Sequence, residues 1–150
     1  MSLALTLALT LALTLSPTLT SAEQIPVLTE LQRDGRLLRT WRHGHGHLMA
    51  YLEDYAFVAD GLLTLFEADF DPRWLEQATA LLSDIEEHFL DDSDGGFFFT
   101  ADDHEKLVAR NKSVNESSVP SGQAVAARAF LRAGLLLGDR RIEGLGRAAL

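Results

Sequence analysis

The sequence contains no cysteine and carries little positive charge. The absence of cysteine excludes disulfide bonds, thiolate metal sites and cysteine nucleophiles, and it leaves the redox compartment open. The chain has 13 lysines and arginines against 22 aspartates and glutamates, which gives a net charge of −9. The basic residues are scattered and are not interleaved with aromatic ones. Because an acidic surface does not attract nucleic acid or an anionic membrane, we expect neither as a partner.

Several reaction-specific motifs are also missing. "PSG" at residues 120–122 opens a helical pattern without a preceding strand, so it is not the nucleophile elbow of a serine hydrolase. "DDSDGG" at residues 91–96 lacks the last glutamate and the alternating ligands of a calcium-binding loop. His43, His45 and His47 would share one face, as a zinc or nickel site requires, only in an extended segment. The glycines between them favour a flexible loop without function, and the sequence therefore predicts no metal site and no cofactor.

Residues 1–22 differ in composition from the rest of the chain. "LALTLALTLALTL", residues 3–15, repeats a four-residue unit that no globular core requires. Its length suits the apolar part of a signal peptide, but the first basic residue is Arg33. Threonine and proline interrupt the apolar residues of the 1–22 segment, whereas a transmembrane span needs about 20 mainly apolar residues. We interpret these residues as a signal-like leader or a low-complexity start, and we expect membrane contact only if they act as a signal or anchor.

Residues 23–150 are predicted to form one helical domain. The apolar fraction of 47% is sufficient for one core. Apolar residues recur at intervals of three and four, which is typical of helices. Asp71 followed by Pro72 is a typical helix start. The predicted elements are a short helical stretch from Glu23, extended segments near 36–41 and 96–100, a loop at 44–47, and helices over 48–68, from Asp71 to about Leu90, from Pro120, and from Asp139 onwards, still in progress at Leu150.

The order of these elements repeats along the chain. An Asp-Gly turn, an extended segment, a loop and two helices follow Asp34, and the same series follows Asp94. Such a repeat predicts stacked helical hairpins, each of which must bury its apolar face against a neighbour. The fold class is therefore predicted as all-α, with stacked αα-hairpins. Closing a ring of hairpins needs more units than 150 residues supply, so we expect a partial domain truncated at its C-terminus.

Five segments carry a resemblance to a known family. In this order and spacing they resemble the spermatogenesis-associated thioredoxin-like proteins, whose bacterial members are described as thioredoxin-domain or N-acylglucosamine-2-epimerase-like proteins. The resemblance implies part of an αα-toroid, similar to six-hairpin glycosidases and sugar epimerases. It also implies a thioredoxin-like domain in full-length relatives, to which nothing here corresponds. The segments are "DGRLLRTWR", "YLEDYAF", "GLLTLFEADFDPRWL", "DGGFFFTADDHEKLVAR" and "PSGQAVAA".

The repeat aligns the helix start at "LEDY" with the helix start at "PSGQ", so both should lie at one end of the helices. Glu53 and Asp54 are the candidate catalytic residues, because paired carboxylates suit glycoside chemistry. Adjacent helical residues diverge by about 100°, so at most one can point into a cavity. Alternatively, both acids stabilise the first helical turn. The candidate substrate-binding residues are Tyr55, Lys112, Glu116, Ser121 and Gln123.

Alternatives remain for these residues and for the function. Tyr55 is a rim hydroxyl or a packed aromatic ring, and Ser121 is a ligand group or only a helix N-cap. The family usually has asparagine where Gln123 stands, and aspartate is common at Glu116. The first functional hypothesis is a carbohydrate-active or carbohydrate-binding toroid with a sugar as its partner. The others are a non-catalytic interaction scaffold and an inactive fragment. The resemblance favours a cytoplasmic location, whereas a signal peptide would imply secretion.

Overall fold

A computed structural model describes residues 32–42, 45–104, 110–112 and 120–150. In the described residues a small antiparallel sheet precedes two helical hairpins. The strands lie in the order β1-β2-β3, and Leu38 of β2 pairs with Met49 of β3. The predictions for residues 1–22, the stretch from Glu23, His43 and Glu116 lie outside the described residues. The elements are β1 (Gln32–Arg33), β2 (Arg36–Arg42), β3 (His45–Met49), α1 (Leu52–Asp69), α2 (Pro72–Phe89), α3 (Gly122–Leu137) and α4 (Arg140–Ala148).

The prediction of paired helices is confirmed, and three local predictions are wrong. Residues 45–47 are part of strand β3 and not of a flexible loop, because their backbone pairs with β2. Helix α1 begins at Leu52 and not at residue 48, because the preceding residues are used by that strand. Helix α4 ends at Ala148, with Ala149 as its C-cap, and does not continue through Leu150.

Local side-chain caps explain where the helices start. Asp71 precedes Pro72 at the start of α2, and its carboxylate accepts a hydrogen bond from Arg73 N at 3.1 Å. Asp139 accepts from two backbone N–H groups of the first turn of α4, at 2.8 and 3.2 Å. Ser121 caps α3 through a bond from Ala124 N at 3.2 Å. Each cap pairs an N–H group that has no partner within its own helix.

The segment at 96–100 is less regular than a strand. Phe97 and Leu90 form an isolated antiparallel bridge, and no longer ladder is present in the described part of this region. Leu52 N nevertheless donates to Phe99 O at 3.1 Å, and Phe99 N donates to Asn111 O at 2.8 Å. The 96–100 segment therefore connects the start of α1 with Asn111, which lies in the loop after this segment.

The core lies where α1 packs against both α2 and α3. Its largest buried side chains include Trp74, Tyr55, Phe89 and Phe130. Helices α3 and α4 approach closely at Gly134, which has no side chain. A Cβ atom at this position would lie only 2.6 Å from Glu143 N. A well-packed core of this kind holds the helix starts in fixed relative positions. Among the described residues no helix combines the length and apolar character needed to cross a membrane.

Candidate functional site

The starts of α1 and α3 are in direct contact. A Cβ atom built on Gly122 would lie 2.9 Å from Glu53 Cα and 3.0 Å from Glu53 N. Only a glycine permits this approach without displacing one of the helices. The segments "LEDY" and "PSGQ" therefore meet at the same end of the helices, which we call the loop end.

The two adjacent carboxylates of α1 have different environments. The side chain of Glu53 is 34% exposed, and its Oε1 lies 3.1 Å from the Arg39 guanidinium. Asp54 is only 1% exposed. Its Oδ2 accepts from Tyr51 N at 2.9 Å and from Arg39 at 3.4 Å. Asp54 thus holds the helix start and Arg39 in place, while Glu53 is accessible from solvent.

Arg39 and Tyr51 were not among the residues selected from the sequence. The Arg39 guanidinium lies 4.5 Å from the centre of the Tyr51 ring. Tyr51 also stacks on Phe99 at 4.7 Å and on His104 at 5.2 Å between ring centres. This arrangement fixes the guanidinium beside Glu53, since cation–π contact favours a position over the ring face. The basic residues at every third position of "RLLRTWR" are a weak signal, because only the packing of β2 beside α1 brings Arg39 to Glu53.

Tyr55 lies in the core, and the structure places its hydroxyl away from solvent. The residue is fully buried, and its ring contacts Phe89 at 5.4 Å between centres. Its hydroxyl accepts from Leu37 N at 2.9 Å and from Arg36 Nε at 3.2 Å. Burial raises the pKa of Tyr55, although these two hydrogen bonds oppose the shift. The hydroxyl joins β2 to α1, and a ligand would have to displace Arg36 to reach it.

Lys112 and Gln123 lie beside the turn at 91–96. Lys112 Nζ is 2.6 Å from Asp91 Oδ2 and donates to Gly95 O at 2.7 Å. Gln123 Nε2 donates to Ala149 O at 3.3 Å, and Gln123 packs against Gly96, where a Cβ atom would be 3.1 Å away. Gln123 Oε1 is buried and accepts no hydrogen bond from the described residues. Both residues therefore connect this turn to the rest of the loop end.

The pairing of Asp91 leads to a pH-dependence prediction. The ammonium of Lys112 holds the pKa of Asp91 far below its ordinary range, with help from Ser93 and two backbone N–H groups. A carboxyl group with a lowered folded-state pKa stabilises the fold above its unfolded pKa of about 3.9, and the stabilisation is lost as the pH falls below that value. We therefore expect Asp91→Asn to lower Tm clearly at neutral pH and progressively less below about pH 4.

Thermal melts of both proteins at several pH values measure this difference. Asp92→Asn is the matched control, because Asp92 lies in the same turn with an exposed side chain. Its Tm difference from the wild type should be small at every pH. A Tm difference for Asp91→Asn that does not change between neutral and acid pH would contradict the assignment of this stabilisation to the Asp91 carboxylate.

No family model matches the chain. It is 37% identical over 107 residues to human spermatogenesis-associated protein 20, which covers 65% of this chain and 14% of that protein. The protein of the same name from Rattus norvegicus is 37% identical over 116 residues, with 71% and 15% covered. This chain is a sequence relative of spermatogenesis-associated protein 20. The family resemblance is thereby confirmed, and the chain spans only a small part of the length of these relatives.

A solved structure shows the fold. The cellobiose 2-epimerase of Spirochaeta thermophila superposes with a TM-score of 0.65 at 15% sequence identity. The match covers 97% of this chain and 39% of the epimerase chain. The predicted αα-toroid fold is therefore confirmed, and this relative of spermatogenesis-associated protein 20 corresponds to part of such a toroid.

Proposed function

We propose that the loop end of this partial αα-toroid binds a neutral sugar or a similar polyhydroxy compound. The observation that carries the proposal is the solvent-accessible pair of Glu53 and Arg39, fixed in place by the buried Asp54. A carboxylate offers about four acceptor positions and a guanidinium offers five donors, so their mutual contact leaves capacity for ligand hydroxyls. Hydroxyl groups both donate and accept, which matches this combination.

The charges around the site favour a neutral ligand over an anionic one. Arg39 lies between the carboxylates of Glu53 and Asp54, and Lys112 is paired with Asp91. Neither of these cations therefore offers an uncompensated positive charge to a phosphate or a carboxylate. A desolvated anion without such a partner binds poorly, because its lost hydration is not replaced.

The proposal gives the selected residues different roles. Glu53 contacts the ligand and is the group positioned for proton transfer, whereas Asp54 positions Arg39 and the helix start. Gln123, Lys112 and Ser121 support the 91–96 turn and the start of α3 around the ligand site. Tyr55 holds strand β2 against α1 from within the core. Glu116 remains a prediction from the sequence. The cellobiose 2-epimerase, whose substrate is a sugar, has the same fold and supports the choice of ligand class.

A thermal-shift experiment with cellobiose tests the proposal. A ligand present at about ten times its Kd adds about 1.4 kcal/mol of apparent stability, which raises Tm by about 4 °C for a domain of this size. We expect this rise for the wild type and a strongly reduced rise for Glu53→Gln, because the uncharged amide is a weaker acceptor for hydroxyl groups.

Glu67→Gln is the matched control for this experiment. Glu67 lies in the same helix as Glu53 and is also paired with one arginine, Arg132, at 3.0 Å. It lies at the opposite end of α1, about 21 Å from Glu53 at the rise of an α-helix. Glu67→Gln should keep the full response to cellobiose. An equal loss in both variants, or no response of the wild type to cellobiose and other neutral sugars, would contradict the proposal and favour the interaction scaffold.

A further inference from the structure

A histidine and two aspartates come together beside the C-terminal end of α2, outside the residues selected from the sequence. His88 lies in the last turn of α2, and Asp102 and Asp103 lie in the turn that follows the 96–100 segment. One ligand atom from each residue lies within 4.8 Å of those of the other two. His88 Nδ1 and Asp102 Oδ1 are 2.9 Å apart.

Backbone hydrogen bonds hold the two parts of this cluster together. Asp102 N donates to His88 O at 3.0 Å, which fixes the turn against the end of α2. The Arg110 guanidinium donates to His88 O at 2.7 Å and to Thr100 O at 2.6 Å, so it bridges the helix end and the turn. The donor atoms are therefore placed by the fold and need little further ordering to bind an ion.

Arg36 orients the third side chain. Its guanidinium lies 2.7 Å from Asp103 Oδ2. Ligating carboxylates in metal sites are commonly hydrogen-bonded by an outer residue in this way, and that partner contributes to metal affinity. The side chains of Asp102 and Asp103 are 55% and 43% exposed, whereas that of His88 is 20% exposed. An ion thus has a direct path from solvent, with the imidazole at the inner side.

We propose that His88, Asp102 and Asp103 bind one divalent transition-metal ion, with Zn²⁺ as the probe. One imidazole nitrogen and two carboxylate oxygens form a donor set that Zn²⁺ accepts, and two carboxylates balance its charge. Without an ion, Nδ1–H donates to Asp102; on binding, Nδ1 ligates the ion and the neutral imidazole carries its proton on Nε2, after exchange with solvent. Three protein ligands leave a position for water or a small ligand.

This site is independent of the sugar proposal, although both share one turn. His104 follows Asp103 directly and stacks on Tyr51 at the loop end. Metal binding would hold the 101–104 turn against α2 and so support that stack. The competing interpretation is that His88 and Asp102 form only a surface ion pair that links the turn to α2. The two interpretations differ in whether the protein takes up a metal ion.

Calorimetric titration of the EDTA-treated and dialysed 150-residue chain with Zn²⁺ tests this site. We expect one ion per chain, and at least about a tenfold weaker Kd in His88→Gln and in Asp102→Asn, since even outer-shell losses cost about 10–100-fold. Asp92→Asn controls for general loss of negative charge and should bind as the wild type does. A second control is the triple variant His43→Gln, His45→Gln, His47→Gln, because these histidines are an alternative zinc ligand set; it should keep the site.

Each outcome of the titration decides for or against the site. Loss of the ion only in the triple variant assigns zinc binding to residues 43–47 and overturns the proposal. Full binding by both His88→Gln and Asp102→Asn, or no uptake by the wild type, overturns it as well. Circular dichroism checks that the variants are folded. If His88→Gln does not fold, Asp102→Asn and Asp103→Asn carry the test, because both carboxylates lie at the surface and an asparagine keeps a side-chain oxygen that can still accept from His88 or from Arg36.

Discussion

Trp74→Ala is expected to lower the free energy of unfolding by about 3–5 kcal/mol, the range measured for removing a large aromatic side chain from a core. Trp74 is 1% exposed, and its Nε1 donates to Asp69 Oδ2 at 3.0 Å. The substitution therefore leaves a cavity in the core near the α1–α2 turn. It also removes a hydrogen bond that joins the two helices. Urea denaturation followed by circular dichroism measures the change.

Two variants separate the causes of this loss. Phe70→Ala is the matched control, because Phe70 is an aromatic residue of the same turn that is 73% exposed. Its cost should stay at about 1 kcal/mol or below, because the exposed ring loses only its edge-on contact with Phe66. Trp74→Phe keeps most of the ring and removes the hydrogen bond, so it should cost clearly less than Trp74→Ala. Similar losses for Trp74→Ala and Phe70→Ala would show that the α1–α2 hairpin does not pack as described.

The parts of the fold that the sequence predicts well depend on local chemistry. Asp71 with Pro72, Ser121 and Asp139 each cap a helix through backbone groups two or three residues away. Such interactions are contained in a short window of sequence, so their pattern is readable without knowledge of the tertiary structure. The repeat was informative for the same reason, since each hairpin carries its own turn, caps and apolar periodicity.

Strand β3 was missed because its structure depends on distant residues. Glycines alternating with histidines have no strong strand preference, and composition alone favours a loop at residues 45–47. The backbone pairs of Leu38 with Met49 and of Thr40 with His47 decide the conformation. Hydrogen bonds to β2 compensate for the weak local preference. The later start of α1 follows from the same pairing, since β3 extends through Met49.

The candidate site was predictable only in part for a similar reason. The repeat correctly brings the starts of α1 and α3 together, as the contact between Gly122 and Glu53 shows. It does not reveal Arg39, because that residue reaches Glu53 from a strand outside the helical repeat. It also does not reveal the proximity of His88 to Asp102, which depends on a turn folded back onto α2. Sequence spacing therefore predicts which helix starts meet. The partners of the charged groups depend on contacts between distant parts of the chain, which spacing does not predict.

The division of roles between Asp54 and Glu53 gives the second prediction with a large effect. Asp54→Ala removes a carboxylate that accepts from Tyr51 N at the helix start and contacts Arg39. Hydrogen bonds to a charged group contribute about 1.5–3 kcal/mol, and we expect a loss of free energy of unfolding in this range. Glu53→Ala should cost only about 0–1 kcal/mol, because exposed ion pairs contribute little.

Urea denaturation of both variants, in parallel with cellobiose binding, separates positioning from ligand contact. Glu53→Ala should lose binding at nearly full stability, since its carboxylate faces solvent. Asp54→Ala should lose stability, and its binding should be weakened through the freed Arg39. Asp54→Asn distinguishes charge from shape, because the amide oxygen still accepts from Tyr51 N and should recover part of the stability. Equal stability losses in Glu53→Ala and Asp54→Ala would contradict the buried positioning role of Asp54, because that role predicts a difference of at least about 0.5 kcal/mol.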